Sequence, residues 1–149
     1  MTTKHALLTA VLVGLTLVAC GDKVTLEERV PEALIDTVEA DGDAVAVYYY
    51  LGDLDRNDAS VRVRYCLGGT CSTATAAPGG DGVANLPTDR EDPVLHLFRW
   101  AALCDLTDTA SEVTVEITPY DNAGTGPTVV TDPFSITGLG VSGECEDEL

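Results

Sequence analysis

The chain is poor in basic residues. It has 8 lysines and arginines against 25 aspartates and glutamates in 149 residues, which gives a formal net charge of −17. A nucleic-acid-binding protein needs a basic surface to neutralise phosphates, so this composition excludes that class. The sequence also lacks the G-x-S-x-G and H-E-x-x-H motifs of common hydrolases. We therefore expect a protein that is not an enzyme and that uses no cofactor.

Long apolar runs are absent except at the N-terminus. Residues 6–20 carry no charge and follow Lys4. A membrane-spanning helix needs roughly 20 apolar residues, so this run is too short to be one. Its length and the preceding lysine are typical of a signal peptide. The sequence thus predicts a signal helix over residues 1–19.

The end of this run resembles the lipobox of bacterial lipoproteins. Its four positions are Leu17, Val18, Ala19 and Cys20. The resemblance implies cleavage before Cys20, a diacylglycerol on the Cys20 sulfur and an acyl chain such as palmitate on the new amino group. Gly21, rather than Asp, follows the cysteine, which favours the outer membrane. The implied location is the bacterial cell envelope, with the membrane as a partner through Cys20. The alternative is an ordinary signal peptide with an incidental cysteine.

Five cysteines would leave one unpaired in an exported protein, and lipidation of Cys20 removes the odd one. An even remainder in an oxidising compartment predicts two disulfides. A Gly-Gly turn between Cys66 and Cys71 favours their pairing across a hairpin, and Cys104 would then pair with Cys145. Four cysteines permit three pairings, so the connectivity remains an expectation. Zinc is the rival interpretation, but His96 is the only histidine beyond the signal peptide.

Alternating apolar residues predict β-strands along most of the chain. After an acidic tether over 20–43, with an edge strand near 33–38, a sandwich domain is expected over 44–137 and an acidic tail over 138–149. Several short strands, frequent turn residues and no convincing helix indicate an all-β sandwich of about seven strands. The expected strands lie at 44–51, 61–65, 71–77, 94–100, 113–118 and 128–136.

Residues 45–136 resemble fibronectin type III-like or immunoglobulin-like modules of bacterial surface proteins. The stretch 112–127 is similar to their penultimate strand and the Asn/Gly turn after it. The other matching residues are Tyr50, Asp53, Asp55, Val61, Val63, Tyr65, Gly68, Gly69, His96, Phe98, Trp100 and Asp121. Two departures stand out: Val113 lies near the usual tyrosine-corner position, and the usual tryptophan of an early strand is missing. The resemblance implies a sandwich fold without fixing its strand order.

A calcium site is one candidate within the first inter-strand loop. Asp53, Asp55 and Asp58 are three carboxylates within six residues, and calcium prefers such oxygens. The spacing begins like an EF-hand loop, but Asp58 occupies the position of its turn glycine. Asp and Asn also favour ordinary β-turns for backbone reasons. The sequence alone therefore favours a solvated turn and no metal.

These observations predict a non-catalytic envelope lipoprotein that presents one binding or structural module to an unknown envelope protein or glycan. The alternatives are a carbohydrate-binding or hydrolase-accessory lipoprotein and a calcium-dependent adhesion module. Tyr48 and Tyr50 are the candidate sugar-stacking residues, and Tyr49 is expected in the core. His96, the one candidate general base, lies between apolar residues of a predicted strand and is expected to be structural.

Overall fold

The computed structural model describes residues 29–106 and 110–141. The predicted signal helix and Cys20 lie outside these residues. The described part forms seven strands: β1 (Glu32–Asp41), β2 (Ala44–Gly52), β3 (Ser60–Leu67), β4 (Thr70–Thr73), β5 (Val94–Trp100), β6 (Thr114–Tyr120) and β7 (Val129–Val130). It also forms two one-turn helices, α1 (Ala102–Asp105) and α2 (Ile136–Leu139). Within the described ranges, no helix has the length and apolarity needed to span a bilayer.

The strands make two antiparallel sheets. The first has the order β1-β2-β5 and the second the order β4-β3-β6-β7. This confirms the predicted all-β sandwich of about seven strands. The order is that of an immunoglobulin constant domain in which the fourth strand has moved from the first sheet to the second.

The core lies between the inner faces of the two sheets, as the period-two alternation predicts. Each inner face is formed by every second residue of its strands, and the outer faces are more exposed. Trp100, Tyr49 and Phe98 are the largest fully buried side chains. The aliphatic part of the core includes Val45, Val47, Leu51, Val61, Val63, Leu86, Leu106, Val113, Val115, Ile117 and Ile136.

The first strand begins earlier and extends further than expected. β1 runs from Glu32 to Asp41 and pairs with β2 throughout, with a bulge between Ile35 and Thr37. The sandwich therefore begins at Glu32 rather than at Ala44. The acidic side chains of β1 point mostly to solvent and obscure its apolar period, which explains why the alternation is weak in the sequence.

The chain crosses from the second sheet to the first after β4. The expected strand over 71–77 is paired with β3 only as far as Thr73. Beyond it, Ala77 N donates to Arg99 O at 2.7 Å and Asp81 N donates to Leu97 O at 2.9 Å, so the segment runs beside β5. This segment covers the outer edge of β5 and prevents another strand from pairing with that edge.

The last strand is shorter than the predicted 128–136. Only Val129–Val130 forms a regular ladder with β6. At Thr131 a side chain takes the place of a backbone acceptor, because its Oγ1 accepts a hydrogen bond from Val115 N at 2.9 Å. Pro133 has no N–H to donate, and α2 follows, which places Ile136 in the core.

Removing the hairpin disulfide tests how much this short loop depends on it. Cys66 and Cys71 are bonded and occupy paired positions of β3 and β4, which confirms that part of the predicted connectivity. We expect the double variant Cys66→Ala, Cys71→Ala to lose about 2 kcal/mol of unfolding free energy, by the chain-entropy model for a very short loop. Urea unfolding followed by Trp100 fluorescence measures this. A loss above about 4 kcal/mol would show that the chain-entropy model underestimates the contribution of this disulfide to stability.

Candidate functional site

One end of the sandwich gathers the loops that carry most of the candidate residues. β2 and β6 end there, and β3 and β5 begin there, as the pairings Leu51–Val94 and Ser60–Tyr120 show. The loops at this end are 53–59, 86–93 and 121–128, together with the entry segment 29–31. We call it the groove end, because a groove opens beside the first sheet at this position.

The groove has a volume of about 650 Å³, a size that suits a small ligand or a segment of a larger one. Its walls come from the entry segment, the end of β2 and the loop before β5. Most of its surface is apolar, and five of its lining residues carry charged side chains. The residues that line it are Arg29, Val30, Glu32, Ala33, Leu34, Tyr50, Gly52, Asp53, Leu54, Arg90, Asp92 and Pro93.

A row of exposed apolar side chains extends from the groove across the outer face of the first sheet. Leu34 pairs with Tyr50, and Tyr50 pairs with Leu95, so the three lie side by side. Leu34 is 65% exposed and Leu95 is 48% exposed. Tyr48 lies two residues before Tyr50 on the same face, roughly 7 Å away by strand geometry. Tyr49 is buried in the core, as expected, and Tyr48 and Tyr50 are partly exposed on the outer face.

Two guanidinium groups at the groove have no carboxylate partner among the described residues. Arg64 and Arg99 form ion pairs within 4.0 Å, but Arg29 and Arg90 form none with a described residue. Arg56 and Arg62, the remaining described arginines, also form no such pair, but neither of them lines the groove. A guanidinium fork binds carboxylate and phosphate groups in a bidentate manner. The groove therefore offers two guanidinium groups to an anionic substituent, next to the carboxylates of Glu32, Asp53 and Asp92 that also line it.

Local structure fixes the loop that carries Arg90. Asp89 Oδ1 accepts hydrogen bonds from Glu91 N at 2.8 Å and from Asp92 N at 3.2 Å. These two bonds hold the pKa of Asp89 below its usual value. Asp53 N also donates to Asp89 O at 3.3 Å, which ties the loop to the end of β2.

The entry segment that carries Arg29 is held by two contacts. Arg29 N donates to Asp55 Oδ2 at 2.7 Å. The chain at Pro31 passes so close to Gly126 that a Cβ on residue 126 would collide with the Pro31 carbonyl oxygen. A glycine is therefore required at 126 for the entry segment to lie against the loop 121–128.

The three carboxylates of the calcium candidate do not come together. Asp53 is only 3% exposed, and its Oδ1 accepts a hydrogen bond from Asp55 N at 2.7 Å. Asp58 is exposed. Among the described residues, three metal-binding groups lie within 4.8 Å of one another at Cys66, Cys71 and Glu116, but the two sulfurs there form a disulfide. Instead of Asp58, it is Asp121 from the opposite sheet that interacts with Asp53.

His96 has a structural place in the core. It is 3% exposed, and its Nε2 donates to Pro87 O at 2.9 Å, since a carbonyl can only accept. Its Nδ1 lies 3.5 Å from Asp81 Oδ2. The ring thus ties the loop 81–87 to β5.

Only one cysteine of the second predicted disulfide lies among the described residues. Cys104, in α1, is disulfide-bonded. Its predicted partner, Cys145, lies outside the described residues, as does Cys20. The pairing of Cys104 with Cys145 and the lipidation of Cys20 therefore stay predictions.

Known proteins give no guide to the groove. No family model, no curated protein and no solved structure matches the chain.

Proposed function

We propose that this protein is a non-catalytic lipoprotein of the bacterial cell envelope, anchored at the outer membrane through Cys20, whose sandwich domain presents a binding groove. The lipobox resemblance supports the anchor. The strand order supports the resemblance to fibronectin type III-like and immunoglobulin-like modules. The observation that carries the binding role is the groove, which is lined by Arg29, Arg90 and the partly exposed ring of Tyr50.

The position of the groove supports a role near the membrane. Arg29, which lines the groove, lies nine positions after Cys20. A fully extended chain spans at most about 3.6 Å per residue, so the groove lies within roughly 30 Å of the lipidated residue. Ligands carried by molecules of the envelope surface are within reach of such a site.

A carbohydrate with an acidic group is the ligand class that these side chains favour. Tyrosine offers an apolar ring face together with a polar hydroxyl, which suits the mixed surface of a sugar ring. Arg29 and Arg90 supply donors for a carboxylate or phosphate substituent. The net negative charge of the chain repels anions in general. Recognition would therefore depend on the contact between the sugar and the Tyr50 ring as well as on the two arginines.

Binding to an array of acidic and neutral glycans tests this function. We expect the purified domain to retain acidic glycans, and we expect Tyr50→Ala and Arg90→Gln each to weaken binding about tenfold, a loss of about 1.4 kcal/mol. Arg64→Gln is the matched control, because Arg64 lies on the second sheet and pairs with Glu116 at 3.6 Å.

Two results would contradict the carbohydrate assignment. One is the absence of binding to either class of glycan. The other is an equal effect of Arg90→Gln and Arg64→Gln. If an envelope protein is instead captured from extract and is lost with Tyr50→Ala, the groove binds a protein partner and the carbohydrate assignment is wrong.

A further inference from the structure

Two carboxylates from opposite sheets meet at the groove end. Asp53 directly follows β2, and Asp121 directly follows β6. Each uses its Oδ1 atom within its own loop. Asp53 Oδ1 accepts from Asp55 N at 2.7 Å, and Asp121 Oδ1 accepts from Ala123 N at 2.9 Å and Gly124 N at 3.0 Å.

The second oxygen of each carboxylate is left without a partner. Asp53 Oδ2 and Asp121 Oδ2 are both buried, and neither makes a hydrogen bond among the described residues. Asp53 as a whole is 3% exposed. A buried polar oxygen without a partner is costly, and a charged one more so. Two such atoms on neighbouring side chains would be stabilised by a proton or a cation that both can share.

The electrostatics of Asp53 show that the two side chains interact. Burial raises the pKa of Asp53, and the charge of Asp121 and the hydrogen bond that a protonated Asp53 would make to Asp121 raise that pKa further. The hydrogen bond from Asp55 N opposes this and lowers the pKa, while the charge of Asp55 raises it more weakly. Negative charge therefore accumulates at one buried point between the loops 53–59 and 121–128.

We propose that Asp53 Oδ2 and Asp121 Oδ2 are ligands of a calcium ion that joins the β2–β3 loop to the β6–β7 loop. Calcium prefers carboxylate oxygens, accepts a flexible shell, and completes it with backbone carbonyls and water. One ion satisfies both orphaned oxygens and offsets their repulsion. This site differs from the one that the sequence indicates, because it includes Asp121 and does not involve Asp58. Since Asp53 also lines the groove, the ion would fix one wall of it.

Calorimetric titration of the EDTA-stripped protein with calcium chloride tests the site. We expect one ion to bind with a dissociation constant of roughly 0.1–1 mM, the range of extracellular modules. At 10 mM calcium the melting temperature should rise by roughly 5–10 °C. Magnesium should produce a much smaller rise, because it gives up its water reluctantly.

Asparagine variants separate this site from general screening by calcium. Asp53→Asn and Asp121→Asn should each abolish the calcium-specific rise. Both should remain folded without calcium, since each keeps an Oδ1 acceptor and removes a buried charge, and Asp53→Asn should melt no lower than the parent protein in EDTA. Asp58→Asn is the matched control, because it removes the same charge from an exposed position of the same loop. It should keep the full calcium response.

Three results would overturn the proposal. The first is equal stabilisation by calcium and magnesium with no heat of specific binding. The second is a calcium response that persists in Asp121→Asn. The third is a parent protein that ignores calcium but gains stability as the pH falls from 8 to 5. A carboxyl with a raised pKa stabilises the fold at low pH and loses that contribution as the pH rises, so this result would show that the pair shares a proton.

Discussion

Replacing Trp100 with alanine is expected to lower the free energy of unfolding by about 3–5 kcal/mol, the usual cost of deleting a buried aromatic ring. Trp100 is fully buried, and its ring stacks on Tyr65 from the other sheet with centroids 5.1 Å apart. The ring therefore contributes to the contact between the two layers as well as to the volume of the core.

Trp100 also anchors a hydrogen-bonded junction around Asp105. Trp100 Nε1 donates to Asp105 Oδ2 at 2.7 Å, and the same carboxylate accepts from Thr75 N at 2.8 Å and from Thr75 Oγ1 at 2.6 Å. Tyr65 Oη donates to the Asp105 backbone oxygen at 3.3 Å. Asp105 therefore joins four parts of the fold: helix α1, the two sheets, and the segment that crosses between the sheets after β4.

Two further variants separate packing from hydrogen bonding at this junction. Trp100→Phe should cost less than Trp100→Ala, because it keeps an aromatic ring while the N–H is lost and Thr75 still donates to Asp105. Leu95→Ala is the surface control on the same strand, since Leu95 is 48% exposed and should cost under about 1 kcal/mol. Urea unfolding of the three variants, followed by far-ultraviolet circular dichroism, measures the series. If Trp100→Ala lowers the free energy of unfolding no more than Leu95→Ala does, the conclusion that the Trp100 ring stabilises the core is wrong.

The sequence predicted the sandwich and its inner faces because alternation is a local property. The residues Val94, His96, Phe98 and Trp100 share a face in the sequence pattern, and the last three of them are buried in the structure. A shift of register by one residue would move this set to the exposed face. The alternation of apolar residues therefore determines which face of the strand is buried. The hairpin cysteines were predictable for the same reason, since Gly68 and Gly69 place them opposite each other within six residues.

The groove and the paired carboxylates depend on strand order, which alternation does not encode. Arg29 and Arg90 are about 60 residues apart in sequence, and Asp53 and Asp121 are nearly 70 apart. Each pair meets only because β2, β5 and β6 have their ends on the same side of the sandwich. Asp121 was visible in the sequence as a turn residue after a strand, but its relation to Asp53 required the packing of the two sheets.

Replacing Cys20 with alanine is expected to abolish labelling of the protein by radioactive palmitate in cells. The physical reason lies in the proposed anchor: Cys20 supplies both the sulfur for the diacylglycerol and, after cleavage, the amino group for the third chain. Each buried methylene contributes about 0.8 kcal/mol to membrane binding, and two chains already make anchoring stable. Alanine offers no thiol, so no lipid is attached and the peptide 1–19 is not removed at this position.

Labelled cells that express the parent protein, Cys20→Ala or Cys66→Ala measure this directly. Cys66→Ala is the matched control, because it removes a cysteine that is engaged in the hairpin disulfide and should keep the full label. A second form, with residues 1–20 replaced by an ordinary cleavable signal peptide, should appear in the soluble fraction, because the remaining chain is strongly acidic and is not attracted to anionic lipid. Palmitate on Cys20→Ala, or a membrane-bound form of the second protein, would show that the attachment to the membrane does not depend on Cys20.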